Sequence, residues 1–280
     1  MFGMSAACID SESLGRQRWR LVNSTYEVET EGRWQRPHRG WFRRLAPPGD
    51  NEGTRLGSRE SAELSARLAL LTGLSASLDW LTDYWNLARA ENKLVQYERA
   101  AQLGLSVPAT ALASRPEDLV GLRTPAVFKP LGIGSFSREG VAHAVHSREV
   151  ELDDPVLSDL PSAPFIAQDL VDAERHLRVV TCVDESWTAS LEADGLPLDW
   201  RTDRVAHESW KHCPEPDVER NALALARELH VGYSSQDWIV DRDGRAWFVD
   251  GNPAGQWLFL PEPIASSVTK RLATWLCGCQ

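Results

Sequence analysis

The stretch QDWIVDRDGRAWFVDGN, residues 236–252, carries the clearest local pattern in the chain. Two runs of aromatic and β-branched residues flank the dipeptide Asp-Gly at 243–244, which is preferred in two-residue type I′ turns, so the pattern predicts a β-hairpin. With a turn of that length, Asp237 lies directly opposite Asp250 on one face of the hairpin. Asn252 follows Asp250 by two residues and therefore emerges on the same face.

This hairpin predicts two neighbouring carboxylates and an amide at the strand ends. Unpaired carboxylates about 5 Å apart repel each other, whereas a hard divalent cation accepts carboxylate and amide oxygens. The three side chains of Asp237, Asp250 and Asn252 therefore indicate an Mg²⁺ site. An ordinary surface hairpin with solvated acids is the alternative that the spacing alone leaves open.

Lysine is rare in this chain, which has four lysines and twenty-six arginines. Lys129 lies inside the apolar segment AVFKP, just before the glycine-containing loop LGIG. That position suits an ammonium group that meets phosphate oxygens while loop amides close over them. A strand-end lysine that reaches solvent is the alternative.

Two local predictions place these residues on elements. AVFKP and the alternating segment VAHAV predict two strands joined by a glycine-containing hairpin loop. Apolar residues at helical spacing predict one helix from about Leu87 to Leu103, ended by Gly104, with Lys93 off its apolar stripe.

The composition excludes several classes of protein. The 280 residues are 42% hydrophobic and 25% charged, which is typical of a globular chain, and no apolar run approaches the roughly 18 residues of a membrane span. A net charge of −10 argues against general nucleic-acid binding. Five scattered cysteines do not indicate a disulfide framework, and the first residues lack a secretory-signal pattern, so we expect a cytoplasmic protein.

The order of the motifs resembles that of the ATP-grasp ligases, most closely the graspetide (microviridin-type) synthetases that macrocyclise ribosomal peptides. The resemblance covers roughly residues 33–275, and its most specific part is an acid two residues before Asn-Pro followed by Gly-Gln-Trp. The segments that carry it are AENKLVQYERAAQLGLSVPAT, VFKPLGIGSF, FIAQDLVDAERHLRV, LDWR and SQDWIVDRDGRAWFVDGNPAGQWLFL.

The resemblance implies an α+β chain with the ATP-grasp fold, in which two α+β subdomains sandwich ATP, and a shortened N-terminal α/β region. The Pro/Gly-rich stretch 45–57 marks the boundary between residues 1–57 and an ATP-grasp domain at 58–280. Within that domain, residues 58–165 contain both nucleotide lysines and residues 166–280 contain the hinge and the metal site.

The resemblance also implies roles for individual residues. GRWQRP resembles a W-x-R-R-P stretch of the peptide-macrocyclising branch, with a basic surface strand as the alternative. The implied sites are phosphate binding by Lys93 and Lys129, adenine binding by the backbone of Gln168, Asp169, Leu170 and Val171, catalysis by Arg178 and Arg201, Mg²⁺ binding by Asp237, Asp250 and Asn252, and peptide binding by Arg33, Trp34 and Arg36.

The implied function is ATP-dependent ligation within a ribosomal precursor peptide that has a leader and a core. Asp or Glu side chains are phosphorylated and closed into ω-ester or ω-amide rings with Ser, Thr or Lys. Positioning and charge neutralisation by lysines, arginines and Mg²⁺ suffice for such chemistry, and no enzyme nucleophile is needed. A ligase that adds an amino acid to a peptide or protein terminus, and a non-catalytic binding subunit for peptide or nucleotide, are the alternatives. The sequence leaves a homodimer open.

Three positions depart from the pattern of this branch. Asp250 is one methylene shorter than the usual Glu, which predicts weaker metal binding. Gly251 replaces an apolar residue. His176 stands where an acid near the ribose is expected, with Glu174 as the alternative acid, so the resemblance does not fix the choice of nucleotide.

Overall fold

The chain forms a mixed α+β structure. The computed structural model describes residues 8–9, 17–43, 57–132, 135–138, 141–144, 147–155, 157 and 164–278. In chain order its α-helices are α1 (Arg59–Ser77), α2 (Tyr84–Ala90), α3 (Lys93–Gln102), α4 (Arg204–Glu208), α5 (Pro216–Glu228) and α6 (Ile264–Leu276). Its strands are β1 (Trp19–Val22), β2 (Thr25–Thr30), β3 (Arg33–Gln35), β4 (Arg39–Gly40), β5 (Asp79–Trp80), β6 (Thr110–Ala113), β7 (Ala126–Pro130), β8 (Ser135–Arg138), β9 (Val141–Ala144), β10 (Arg148–Val150), β11 (Phe165–Asp169), β12 (Ala173–Cys182), β13 (Glu185–Glu192), β14 (Lys211–His212), β15 (Tyr233–Asp241) and β16 (Ala246–Asn252).

The N-terminal region contributes a three-stranded antiparallel sheet, β1-β2-β3, and a short parallel pair, β4-β5. Trp41 follows β4, and its ring centroid lies 5.4 Å from that of Tyr233 and 5.8 Å from that of Trp257. The N-terminal region is therefore anchored to the C-terminal core. Of the predicted linker 45–57, only Gly57 lies within the described residues.

The predicted helix at 87–103 is two helices, so that prediction was wrong. Asn92 lies between α2 and α3, and its Oδ1 accepts hydrogen bonds from the N–H groups of Leu94 and Val95. Asparagine is a strong N-cap, so it starts a new helix in the middle of the apolar pattern. As a consequence, Lys93 becomes the first residue of α3.

A four-stranded antiparallel sheet, β10-β7-β11-β6, forms the central part. The predicted hairpin between AVFKP and VAHAV was wrong. β7 lies between β10 and β11, and β9 pairs with β8 in a separate two-stranded sheet. The segment SFSR, expected to be loop, is itself the strand that pairs with VAHA.

A five-stranded antiparallel sheet, β14-β13-β12-β15-β16, dominates the C-terminal half. On one face, Leu177, Trp238 and Phe248 form a core with α3 and α5. On the other face, Val180 and Tyr233 pack against α6. The start of β12 on this second face carries polar side chains that contribute to the site described below. Within the described part of the chain, no helix combines the length and the apolar character needed to cross a membrane.

The predicted turn between β15 and β16 was also wrong, because the loop contains three residues, 242–244. The N–H of Asp241 donates to the carbonyl of Arg245 at 3.0 Å. The Asp241 carboxylate accepts the N–H groups of Asp243 and Arg245 at 3.1 and 2.9 Å. Gly244 adopts a φ of 80°, in the left-handed region that glycine tolerates. Side-chain capping by Asp241 thus favours the longer loop.

A β-bulge in β16 restores the predicted register at the carboxylates. Trp238 faces Phe248, but Asp237 faces Asp250, so Val249 is an extra residue with no partner in the ladder. The longer turn and the bulge each shift the register by one residue in opposite directions. Asp237 and Asp250 are therefore opposite each other, as predicted, although the predicted turn is absent.

Candidate functional site

A cleft of about 860 Å³ lies between the four-stranded and the five-stranded sheets. Strands β7 and β11 line one side, and β12, β15 and β16 line the other. The segment 168–171, which joins β11 to β12, lines the cleft as well. The cleft therefore sits where the two sheets meet, and each sheet supplies a different set of charged groups.

The carboxylates of Asp237 and Asp250 lie on the side of the five-stranded sheet, and each has a cationic partner. Arg178, directly opposite Asp237 on β12, approaches it to 3.0 Å. Lys93, at the start of α3, donates from Nζ to Asp250 Oδ1 at 2.5 Å. We call these four residues the carboxylate wall. Each carboxylate has one cationic partner, so the four formal charges sum to zero.

Burial and charge act differently on the two carboxylates. Burial raises the pKa of Asp237, and the nearby Asp250 adds to this rise against the opposing effect of Arg178. Burial also acts to raise the pKa of Asp250, but Lys93 and Lys129 outweigh it, and the pKa of Asp250 is lowered. Asp250 is therefore the more firmly ionised member of the pair.

Lys129 and Gln168 face them from the four-stranded sheet, and we call these two residues the lysine wall. Lys129 is buried and donates from Nζ to Gln168 Oε1 at 2.6 Å. Gln168 Nε2 in turn donates to Thr110 Oγ1 at 2.8 Å, which fixes the amide. Burial lowers the pKa of Lys129 to about 8. The hydrogen-bond partner of the charged ammonium is therefore the neutral amide of Gln168.

Arg201 reaches the cleft from a short 3-10 helix and is oriented by Asp199. Asp199 accepts hydrogen bonds from Arg201 Nε at 2.7 Å and from its terminal nitrogen at 3.0 Å. The Asp199 side chain is 6% exposed, whereas that of Arg201 is 52% exposed. A buried carboxylate therefore holds a half-exposed guanidinium in a fixed, bidentate orientation.

The donor set suits a hard cation. Two opposed carboxylates supply the oxygen ligands that Mg²⁺ takes from a protein while it keeps waters and substrate oxygens. Among the described residues, no group of three or more His, Cys, Asp or Glu side chains could hold a metal. Asp237 and Asp250 therefore fit Mg²⁺ shared with phosphate groups better than a metal enclosed by protein alone.

The structure is similar to solved ligases. A RiPP-associated ATP-grasp ligase from Chryseobacterium gregarium, in complex with ADP and a leader and core peptide, matches 94% of this chain and 84% of its own at 22% identity and a TM-score of 0.79. The chain has the ATP-grasp fold. The macrocyclase MdnC from Microcystis aeruginosa MRC, bound with precursor peptide MdnA, matches with a TM-score of 0.77 at 20% identity over 96% of this chain and 90% of its own.

MdnB, another macrocyclase from the same source, gives a TM-score of 0.72 at 21% identity over 96% of this chain and 89% of its own. No protein-family model and no curated protein matches the sequence. The fold inferred from the motif order is therefore confirmed by structural likeness, at a level of identity that establishes the fold alone.

The segment 168–171, which the sequence predicts to be the adenine-binding hinge, has some of its polar groups in hydrogen bonds. The Asp169 N–H donates to the carbonyl of Ala109 at 2.9 Å, and its carboxylate accepts the N–H of Arg123 at 2.8 Å. Within the described residues, Leu170 and Val171 make no backbone hydrogen bond. Adenine binding by the hinge backbone remains a prediction, and Leu170 and Val171 have the unengaged groups.

Arg178 lies behind Asp237 and does not itself line the ATP-grasp cleft. Its side chain is 9% exposed, and its guanidinium carbon is 5.5 Å from the centroid of the Trp200 ring and 6.0 Å from that of Phe259. One terminal nitrogen also donates to Ser235 at 3.3 Å. Its ion pair is with Asp237, and its catalytic role remains a prediction.

The predicted ligand Asn252 is on the expected face but at the periphery. It lies opposite Ser235 in the ladder, is exposed, and does not line the cleft. Its Oδ1 accepts the N–H of Ala254 at 2.9 Å. Its role as a metal ligand remains a prediction.

Gln96 is a residue of the site that the sequence interpretation missed. It is fully buried, donates to the carbonyl of Gly251 at 2.7 Å and accepts the Gly251 N–H at 2.9 Å. This pair fixes α3, which carries Lys93, against β16, which carries Asp250. A Cβ at Gly251 would lie 3.3 Å from Gln96 Oε1, so the glycine accommodates the amide. The burial of this glutamine is a property of the tertiary structure, and no pattern in the sequence marks it.

The predicted peptide-binding residues do not line the cleft. Trp34 is half-buried on β3, with the guanidinium groups of Arg18 and Arg20 at 5.3 and 4.2 Å from its ring centroid. Arg33 and Arg36 are exposed. The structure therefore separates this basic segment from the groups around the cleft, and its peptide-binding role stays a prediction.

Proposed function

We propose that the protein is an ATP-dependent carboxylate ligase that macrocyclises a ribosomal precursor peptide. The supporting observation is the cleft in which two ion-paired carboxylates face a buried lysine across the junction of two sheets. This arrangement suits binding of a polyphosphate together with a divalent cation. The peptide substrate is inferred from likeness to the ligases that were solved with precursor peptides.

Each group of the cleft has a place in this chemistry. Among the described residues, the hydrogen-bond partner of the Lys129 ammonium is the neutral amide of Gln168 and not a carboxylate, so phosphate oxygens are favourable partners. Lys93 can exchange Asp250 for phosphate, and Arg201 is held ready by Asp199. Mg²⁺, when bound by Asp237 and Asp250, supplies neutralisation of phosphate charge.

The proposed reaction balances in two steps. An Asp or Glu carboxylate of the peptide takes the γ-phosphoryl group of ATP, which releases ADP and forms an acyl phosphate. A Ser or Thr hydroxyl or a Lys amine then attacks the acyl carbon, phosphate leaves, and an ω-ester or ω-amide forms. The peptide loses the elements of one water for each ring.

Co-expression with a candidate ribosomal precursor peptide tests the proposal. We expect the intact mass of the peptide to fall by whole water masses, and fragmentation to locate the rings. Asp250→Asn should leave the peptide unmodified. Asp243→Asn, an exposed change in the turn of the same hairpin, should not.

Two other outcomes would favour the alternatives. A gain of one amino-acid mass would indicate a ligase that extends a terminus. An unchanged peptide, with Mg·ATP binding retained, would contradict macrocyclisation of that peptide and favour a non-catalytic binding subunit.

A further inference from the structure

Tyr97 lies in the core shared by the two sheets that form the cleft. It belongs to α3, one helical turn after Lys93, and it is 7% exposed. Its ring packs edge to face against that of Phe248 of β16, at 6.3 Å between centroids, and the same core contains Ile166 of β11. A tyrosine hydroxyl buried at this depth requires polar partners, and those partners indicate what the residue does.

The first partner of the hydroxyl is the bulge of β16. Tyr97 donates from its hydroxyl to the carbonyl oxygen of Val249 at 3.1 Å. Val249 is the extra residue of the bulge and has no partner in the ladder. The hydroxyl therefore gives the bulged residue a hydrogen bond that a neighbouring strand does not provide.

Asp250 is held through the backbone on both of its sides. Tyr97 binds the carbonyl of the preceding residue, Val249. Gln96 binds the N–H and the carbonyl of the following residue, Gly251. Because a bulge redirects the side chains beside it, these bonds from two consecutive residues of α3 set the direction of the Asp250 carboxylate.

The second partner of the Tyr97 hydroxyl is on the lysine wall. Burial and the charge of Asp250 raise the pKa of Tyr97, and a side-chain hydrogen bond with Gln168 opposes this rise. Gln168 accepts from Lys129 through its oxygen and donates from its nitrogen to Thr110. An amide nitrogen carries two hydrogens, so Gln168 can serve Thr110 and Tyr97 together. Tyr97 therefore contacts the same amide that orients Lys129.

We infer that Tyr97 is a positioning residue that sets the alignment of the carboxylate wall with the lysine wall. One hydroxyl connects the bulge beside Asp250 with the amide beside Lys129. Tyr97 does not itself line the cleft, so it acts on a ligand through these two residues. The inference rests on the proposed function, in which a divalent cation and the phosphates of ATP bind between the walls.

Calorimetric binding of ATP with and without Mn²⁺ to Tyr97→Phe tests the inference. This variant loses the hydroxyl and keeps the ring, and one lost hydrogen bond leaves most of the stability of a folded protein. We expect the affinity for Mn·ATP to fall about tenfold and the affinity for metal-free ATP to fall at most about twofold, because only joint binding depends on the alignment. Tyr84→Phe, the same change at a buried tyrosine of α2 that does not line the cleft, is the matched control and should keep both affinities.

A double-mutant cycle tests whether Tyr97 acts through Asp250. In the Asp250→Asn background, Tyr97→Phe should lower the affinity for Mn·ATP by less than about twofold, because the carboxylate that Tyr97 positions is already absent. A second tenfold loss would show that the two residues act independently and would overturn the positioning role.

The outcomes separate this inference from the proposed function. If Tyr97→Phe has the melting temperature of the Tyr84→Phe control and loses affinity equally for ATP and Mn·ATP, or loses none, the role of Tyr97 is overturned and the proposed function stands. A wild type that binds neither ATP nor Mn·ATP overturns the proposed function itself and this inference with it.

Discussion

The two walls of the cleft differ in how their buried charges are compensated. On the carboxylate wall, Asp237 and Asp250 are matched by Arg178 and Lys93, so the wall is neutral as a whole. On the lysine wall, the buried Lys129 has a neutral partner, Gln168, and its pKa is lowered. The carboxylate wall contains paired charges, whereas the lysine wall contains a cation whose charged form is destabilised by burial.

This difference indicates which ligands bind favourably in the cleft. A polyphosphate compensates the lysine wall directly, because it places negative charge beside the Lys129 ammonium, whose hydrogen-bond partner Gln168 is neutral. A divalent cation is favourable at the carboxylate wall only when Lys93 exchanges Asp250 for another anion. Phosphate and cation are therefore expected to bind together better than either binds alone.

The largest expected effect comes from removing one charge of the carboxylate wall. Asp250→Asn keeps the shape of the side chain but removes the oxygen charge that is matched by Lys93 and, in the proposed function, by Mg²⁺. We expect peptide-dependent ADP release to fall by about 10² to 10³-fold. Asp243→Asn is the control, and activity in Asp250→Asn equal to that of the control would remove Asp250 from the site.

A second test asks whether burial destabilises the charged form of Lys129 and so lowers its pKa. Its pKa is about 8 in the folded protein, below the ordinary 10.5, so between these values the unfolded chain binds more protons and stability rises with pH. The stability of Lys129→Met relative to wild type should therefore fall by roughly 3 kcal/mol from pH 7 to above pH 10.5.

Chemical denaturation of both proteins across that pH range gives the measurement. Comparison with wild type cancels the titration of all other groups that the two proteins share. A pH-independent difference would mean that Lys129 titrates normally, and the contrast between the walls would disappear.

A third test uses Lys93, the other lysine that the sequence predicts to bind nucleotide. Lys93→Met leaves Asp250 facing Asp237 without its cation, so we expect a loss of about 1 to 2 kcal/mol of stability at pH 7. The same variant should bind Mn²⁺ without nucleotide about tenfold more tightly than wild type, because Asp250 is released. Denaturation and calorimetry measure these effects. Lys211→Met, at an exposed position, is the control, and equal Mn²⁺ affinity in Lys93→Met and wild type would argue against the exchange of partners.

The smallest expected effect lies outside both walls. Arg36→Ala removes an exposed charge from the basic segment and should weaken binding of the labelled precursor peptide by up to about fivefold. Mg·ATP affinity should stay the same, because Arg36 does not line the cleft. Arg220→Ala, on the exposed side of α5, serves as the control. Unchanged peptide binding in Arg36→Ala would exclude this residue from peptide capture.

The carboxylate pair shows how far local patterns extend. The sequence predicted that Asp237 faces Asp250, and this is confirmed, but through a three-residue loop and a bulge at Val249 instead of a two-residue turn. Periodicity indicates which residues share a strand, whereas loop length depends on a side chain, Asp241, that competes for backbone N–H groups. The agreement at the site thus rests on two compensating irregularities.

The sequence by itself determined the strand and helix types around the site, the residue types of the candidate ligands, and, through motif order, the ATP-grasp fold. These depend on patterns within a few residues or on the order of segments. Only the tertiary structure decided the partners, such as Lys93 with Asp250, 157 positions apart, Lys129 with Gln168, and Gln96 with Gly251. Such pairs form because packing brings distant elements together, and burial then requires each polar group to find a partner, which no local pattern specifies.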